Sequence, residues 1–244
     1  MPAATPPTPL PAPAALMIDL DGTLVDTVGD FTVALNAMLA ELGRQDVTRE
    51  QVARLVGKGS EHLLKSVLAL EGWAQSAMDS EAIEALFPTA WAYYQRAYLA
   101  INGRHSALFP GVREGLAALA ARGLPLACLT NKPQAFAVPL LEQLGIAHHF
   151  RHVFGGDSFA RRKPDPLPLL ETCRALGSAP ARTWMVGDSS NDAQAARAAG
   201  CPVVLMSYGY NHGEPVQSAG ADALLDALTG LPALIDAAGG RMAA

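Results

Sequence analysis

Between residues 112 and 206 the chain alternates short apolar runs with stretches of helical periodicity, and few folds can accommodate that alternation. The spacing predicts helices over 112–122, 134–144, 166–176 and 192–199, followed by apolar runs at 124–130, 152–154, 183–186 and 203–206. Gly123, Gly145, Gly177 and Gly200 stand just past the four helical stretches, where a residue free to turn left-handed ends a helix. An earlier apolar run at 15–20 and a later one near 223–224, with a helix near 231–237, extend the pattern at both ends. Strands that alternate with helices pair in parallel and are covered on both faces. The expectation is an α/β fold, a doubly wound parallel sheet with a Rossmann-like core.

The alternation is interrupted once. From 28 to 105 no strand signal appears, and the pattern reads as helices at 31–42, 49–56, 60–70 and 80–99. Phe31, Leu35, Met38, Leu39 and Leu42 recur at helical spacing. Thr48 and Gln51 have the spacing of a capping box. Trp91, Tyr94 and Tyr98 form an aromatic stripe read as core packing. The expected organisation is therefore a core from 15–27 and 106–238 with an all-helical insertion at 28–105. Residues 1–14, rich in Pro, Ala and Thr and lacking the basic start of a secretory signal, read as a disordered leader, and 239–244 as a frayed tail.

Polar residues gather where the apolar runs end. Asp19 and Asp21 close the first run, with Gly22 and Thr23 behind them; two like charges this close repel unless a cation or a shared proton intervenes. Thr130 ends the second run, followed by Asn131, Lys132 and Pro133, and Asp188 and Asp192 follow the fourth run. Lys163 stands in a loop just before a helix. Open parallel sheets bind ligands outside the carboxyl ends of their strands, so these stations converge, and the set suits Mg2+ and a phosphoryl group. Lys132 is left open between the edge of this site and solvent. The stretch Val56-Gly57-Lys58-Gly59-Ser60 is not a P-loop, because Gly59 separates the lysine from the serine and the earlier glycine is missing.

Asp-Leu-Asp-Gly-Thr at 19–23, Thr130, Lys163 and the Gly-Asp-x-x-x-Asp of 187–192 together resemble the haloacid dehalogenase-like superfamily of aspartate-based phosphatases. The stretches 56–59, 108–112, 130–133 and 208–211 are most similar to its bacterial phosphoglycolate phosphatase branch. The resemblance implies that Asp19 is the nucleophile, Asp21 the general acid and base, and Asp19, Asp188 and the Asp21 backbone carbonyl the Mg2+ ligands. Asp192 would act on the metal through water or through its ligands. Lys163 would neutralise phosphoryl charge, and Thr130, Asn131 and the backbone around Gly22 would hold a phosphate oxygen. It further implies that the 28–105 insertion is a mobile cap whose 56–60 loop meets substrate. Arg54 and Lys58 are the candidate readers of a second anionic group, with Tyr210 or His212 at the mouth. An acid at position 21 disfavours carbon–halogen chemistry.

The expected activity is Mg2+-dependent hydrolysis of a small anionic phosphomonoester through an aspartyl-phosphate, with 2-phosphoglycolate the leading substrate. A sugar-phosphate phosphatase, such as one for N-acetylmuramic acid 6-phosphate, a pyrophosphatase or a sugar phosphomutase would carry the same motifs. A non-catalytic interaction module would usually have lost the nucleophile or the lysine. A formal charge of −5 argues against nucleic-acid binding, and no apolar run approaches the ~20 residues of a membrane span. Three scattered cysteines, Cys128, Cys173 and Cys201, read as buried free thiols of a reducing cytoplasm. The partner is a small phosphorylated metabolite, and the chain is a monomer or a homodimer.

Overall fold

The computed structural model describes residues 10–70 and 80–239. Its strands are β1 (Ala15–Ile18), β2 (Val25–Asp26), β3 (Ala107–Leu108), β4 (Leu126–Leu129), β5 (His152–Phe154), β6 (Thr183–Gly187), β7 (Val203–Met206) and β8 (Ala223–Leu225). Its helices are α1 (Val28–Glu41), α2 (Arg49–Ala53), α3 (Ser60–Leu68), α4 (Ser80–Ile101), α5 (Val112–Ala121), α6 (Gln134–Gln143), α7 (Leu167–Leu176), α8 (Ser190–Ala199) and α9 (Leu231–Gly239). Six strands form one sheet in the order β5-β4-β1-β6-β7-β8, and every pair in it is parallel. The expected α/β class with a doubly wound sheet is the one observed.

Successive residues of a strand face opposite sides, and the central strands divide their side chains accordingly. Leu16 and Ile18 of β1, Trp184 and Val186 of β6 and Val204 and Met206 of β7 pack into one cluster with α5, α6 and α9. Met17, Met185, Val203 and Leu205 pack into another with α7 and α8. With both faces covered, strict alternation of apolar and polar residues would bury charge, which is why these strands are apolar throughout. From β1 the chain runs outward through β4 to β5, then returns to lay β6 on the other side of β1. The loops after β1 and β6 therefore diverge at a topological switch, where a crevice forms.

Helices α1–α4 lie between β2 and β3, a two-stranded antiparallel ladder pairing Val25 with Leu108 and Asp26 with Ala107. That ladder was not expected; two residues per strand carry no periodicity. The four helices bury a cluster of their own, including Phe31, Leu35, Met38, Leu64, Tyr94 and Tyr98. Tyr94 and Tyr98 are fully buried, so the aromatic stripe is core packing, although Trp91 is only partly covered. The capping box at Thr48 and Gln51 is formed. Helix α1 begins at Val28, three residues before the spacing indicated, and its first-turn Asp30 explains why. Asp30 is fully buried and accepts from Gly103 N (2.6 Å), His105 N (2.7 Å) and Ser106 Oγ (2.5 Å), tying the outgoing connection to the returning one.

Leu10–Ala14, expected with the leader, run against the core: Trp184 Nε1 donates to Pro11 O (2.9 Å), and Ala14 N donates to Arg182 O (2.7 Å). The rest of the leader, 1–9, and the tail from 240 lie outside the described residues. All three cysteines are buried and free, and the fold brings Cys173 Sγ to 3.9 Å from Cys201 Sγ, a proximity their separation in sequence hides. Among the described residues no helix is long and apolar enough to cross a membrane.

Asp30→Ala removes the acceptor of three donors, two of them backbone N–H groups. The expected loss of unfolding free energy is about 2–3 kcal/mol in urea titration. A loss below about 0.5 kcal/mol would show that water replaces the carboxylate freely.

Candidate active site

β1 and β6 end side by side at the switch point, and each hands an acidic loop to the same crevice. Asp19 follows β1; its Oδ1 accepts from Leu20 N (2.7 Å) and pairs with Lys163 Nζ (3.1 Å). Asp188 follows β6; Thr23 Oγ1 donates to its Oδ1 (3.0 Å) and Tyr210 N to its Oδ2 (2.8 Å). Close approach of backbone to acid is built into the neighbours. Gly22 has φ +87°, and a Cβ there would lie 2.3 Å from Asp188 Oδ2; a Cβ on Gly209 would lie 2.1 Å from Asp188 Cβ. Glycine is the residue both positions admit.

Asp192, expected to begin a helix, is instead the third residue of α8. Its Oδ2 accepts from Asp188 N (3.2 Å), Ser189 N (3.1 Å) and Ser189 Oγ (2.8 Å), and its Oδ1 takes Lys163 Nζ at 2.7 Å. Asp192 thus caps the helix and at the same time faces Lys163 beside Asp19 and Asp188. Lys163 is buried and divides its ammonium between Asp192, Asp19 and Leu129 O (2.9 Å). Burial alone would lower its pKa, but Asp19 and Asp192 hold it above the ordinary lysine value.

Lys132 lies at the site, fully buried, and not in solvent. Its Nζ donates to Asp21 Oδ1 (2.9 Å) and sits over the rings of Phe31 (4.1 Å to the centroid) and Tyr98 (4.8 Å). Burial pushes its pKa down against the pull of Asp21. Thr130 is buried, and its Oγ1 accepts from Lys132 N (3.2 Å), which leaves the hydroxyl proton for a ligand. The Asn131 side chain is spent as a brace: Nδ2 donates to Lys163 O (2.9 Å) and to Gly57 O (3.2 Å). Asn191 Nδ2 donates to the same Gly57 carbonyl at 3.1 Å, so two core amides seat the loop between α2 and α3. Neither clamp is legible in sequence, since Gly57 is 74 residues from one partner and 134 from the other.

Asp19, Asp21, Thr130, Asn131 and Lys132 line one small cavity with Phe31, Val56, Ser60 and Leu63 of the helical insertion. Arg54 and Lys58 are exposed and do not line it; Lys58 lines an adjoining cleft with Arg162 and Lys163. Tyr210 acts as a strut, its hydroxyl donating to Asp26 Oδ1 (2.7 Å) and accepting from Thr27 N (3.0 Å). His212, half-buried with φ +56°, packs its ring against Gly57.

The donor set fits a divalent cation. Carboxylate oxygens of Asp19, Asp188 and Asp192 lie within 4.8 Å of one another, all buried. Burial, with Asp192 and Asp21 facing it, raises the Asp19 pKa to about 7 even though Lys163 opposes the rise. Asp188 is pushed well above the carboxylate range by burial and by Asp192 and Asp19. With all four carboxylates ionised, the two lysines would leave two negative charges without compensation, the charge of one divalent ion. Asp188 accepts one protein donor on each oxygen, whereas Asp192 Oδ2 takes three and its Oδ1 the Lys163 ammonium, so Asp19 and Asp188 keep more lone-pair capacity for an ion than Asp192 does.

The model of the haloacid dehalogenase-like hydrolases matches residues 16–206. The phosphoglycolate phosphatase of Thiobacillus denitrificans is 47% identical over 220 residues, 90% of this chain and 94% of its own. The plasmid phosphoglycolate phosphatase of Cupriavidus necator is 46% identical, covering 91% and 92%. Among solved structures, a predicted phosphoglycolate phosphatase from Haemophilus somnus superposes with a TM-score of 0.79 at 31% identity, over 90% of this chain and 96% of that one. CbbY from Rhodobacter sphaeroides, in complex with phosphate, superposes at 0.75 and 26% identity, over 91% and 99%. The chain belongs to the haloacid dehalogenase-like hydrolase family. Within it, the chain is an enzyme of the phosphatase kind.

Gly22→Ala forces a methyl into the Asp188 carboxylate, and a displacement of about 1 Å at a catalytic group can cost 10²-fold. A loss of roughly that size or more in kcat/KM is expected, and wild-type turnover would refute the seating argument. Metal-free protein should lose stability as pH rises. Asp19 keeps its proton to about 7 in the fold but only to about 3.8 unfolded, so the folded form is favoured below pH 4 and that advantage drains away by pH 7. Melting with a chelator should show this decline, and a divalent cation should remove it.

Proposed function

We propose that this enzyme hydrolyses 2-phosphoglycolate to glycolate and phosphate, with Mg2+ as the resident ion. The observation that carries the reading is a single small cavity in which Asp19, Asp21, Thr130 and Lys132 meet under apolar residues of the insertion. Asp19, fixed by Leu20 N and Lys163, attacks phosphorus and becomes an aspartyl-phosphate. Asp21 protonates the departing alkoxide, then takes a proton from the water that hydrolyses the phospho-enzyme. The Thr130 hydroxyl, the backbone N–H of Asn131 and the backbone around Gly22 hold the phosphoryl oxygens. Lys163 keeps Asp19 and Asp192 from driving each other's charge away. Asp19, Asp188 and the Asp21 carbonyl would hold Mg2+, with Asp192 bracing Asp188, and the ion would supply positive charge to the phosphoryl group. Mg2+ keeps several waters and takes few carboxylates, which suits two carboxylates better than a full protein cage.

In this reading, residues 28–105 are a cap that closes over the substrate, with Gly57 as its contact point on the core; the two amides on the Gly57 carbonyl support a closed arrangement. The small cavity and relatives named for phosphoglycolate favour that substrate over a bulky amino-sugar ester. Lys58 and Arg54, on the exposed side of the same loop, draw anions toward the mouth. Three buried free thiols suit a cytoplasmic enzyme.

Phosphate release from a panel of phosphomonoesters, including 2-phosphoglycolate and N-acetylmuramic acid 6-phosphate, tests the substrate. A preference of about 100-fold in kcat/KM, near 2.7 kcal/mol, is expected for phosphoglycolate; preference for the amino-sugar ester would refute it. Asp19→Asn should fold normally yet lose roughly 10⁴-fold or more in turnover, the scale of removing a nucleophile. Lys58→Ala should lower kcat/KM about three- to tenfold at low salt and less at high salt. A salt-independent loss would place Lys58 in direct contact with substrate.

A further inference from the structure

Lys132 belongs to none of the steps above. It leaves the core just after β4, yet its tip lies beneath the insertion, over Phe31 of α1 and Tyr98 of α4. Among the described residues it is the one lysine or arginine lining the cavity that holds Asp19 and Asp21. A cation that served only the fold could pair with an acid outside the site. This one pairs with Asp21, whose other duty is proton transfer. An ammonium has three protons, and the bond to Asp21 uses one. Ring faces attract a cation without accepting its hydrogen bonds as an oxygen does, and they keep water away.

We propose that Lys132 is a specificity-determining residue that binds a carboxylate carried on the carbon next to the ester oxygen, an inference that rests on the phosphatase reading with Asp21 as leaving-group acid. A carboxyl that protonates the ester oxygen lies within about 2.6–3.2 Å of it, and the Lys132 ammonium lies 2.9 Å from Asp21 Oδ1. In the phosphate ester of a 2-hydroxy acid, one carbon separates the ester oxygen from the carboxyl carbon. When the ester oxygen meets Asp21, the substrate carboxylate therefore comes within reach of the same ammonium. The pair forms where water is excluded, so it is strong and discriminating. An ester with a neutral leaving group strands the Lys132 protons, and a carboxylate one carbon further out overshoots them. Arg54 and Lys58, exposed beyond the cavity, act on approach and not on fit.

The test compares kcat/KM for 2-phosphoglycolate, for 2-hydroxyethyl phosphate, which carries a hydroxymethyl in place of the carboxylate, and for 3-phosphooxypropanoate, in wild type, Lys132→Met and Lys132→Gln. Gln keeps an N–H donor for Asp21 and guards against a variant that fails to fold. Both variants should slow all three esters, because Asp21 loses its ammonium. The expected signature is that the ratio of phosphoglycolate to hydroxyethyl phosphate falls at least a further 30-fold. Unchanged ratios with equal losses would make Lys132 a positioning residue for Asp21 and overturn the inference. In wild type, 3-phosphooxypropanoate should be at least about tenfold poorer than phosphoglycolate; equal turnover of the two acids overturns the inference whatever the variants do. A wild-type enzyme preferring some unrelated ester would instead fail the substrate reading itself, which separates the two failures.

Discussion

The ion cluster around Lys163 is the constraint on which the rest of the structure depends. A parallel sheet places the ends of β1 and β6 next to each other, and with them Asp19 and Asp188. Bringing those acids together with Asp192 in a buried crevice is costly unless compensating charge is fixed there. Lys163 supplies part of it, bridging Asp19 and Asp192 with its third donor on Leu129 O. The remaining excess of negative charge suits the crevice to a cation. Neighbouring backbone must come unusually close, and Gly22 and Gly209 give it room. The geometry of the crevice and its local sequence are two consequences of one electrostatic problem.

The helical insertion solves a different problem. The core alone would leave the acids open to water. The insertion lowers Phe31, Val56, Ser60 and Leu63 over them and fastens at Gly57, where Asn131 and Asn191 meet one carbonyl. Its ends are bound by Asp30 and by the β2–β3 ladder, so the two connections to the core act together. The buried cation of Lys132 joins the two parts, with its backbone in the core and its tip among aromatic rings of the insertion. Burial of that charge is tolerable because Asp21 is paired with it and the rings add attraction.

Much of the core was legible because buried parallel strands are apolar along their whole length and helices repeat every 3.6 residues. Strands at 152–154 and 203–206 were placed with the bounds observed, and the other core strands and helices within one or two residues. The β2–β3 ladder was missed because a two-residue strand has no period. The start of α1 was placed late because Val28–Asp30 are recruited by tertiary bonds of Asp30 and not by an apolar repeat. Leu10–Ala14 look like leader by composition, yet the Trp184 indole N–H and the Arg182 carbonyl hold their backbone beside the starts of the central strands, through main-chain groups of Pro11 and Ala14 that carry no sequence signature.

By itself the sequence determined the fold class and the stations of Asp19, Asp21, Thr130, Lys163, Asp188 and Asp192, since each lies at a strand end or in a short loop whose location follows from local pattern. Only the tertiary structure decided the pairings between distant segments. Lys132 could have faced solvent; it faces Asp21 because α1 and α4 fold over it. Arg54 and Lys58 were the nearest cations along the chain, but proximity along a chain says nothing of which side of a loop faces the cavity. Cys173 and Cys201 were scattered residues until α7 and the end of α8 brought them together. Local pattern fixes elements because it depends on neighbours a few residues away, whereas partners across the fold are set by how those elements pack.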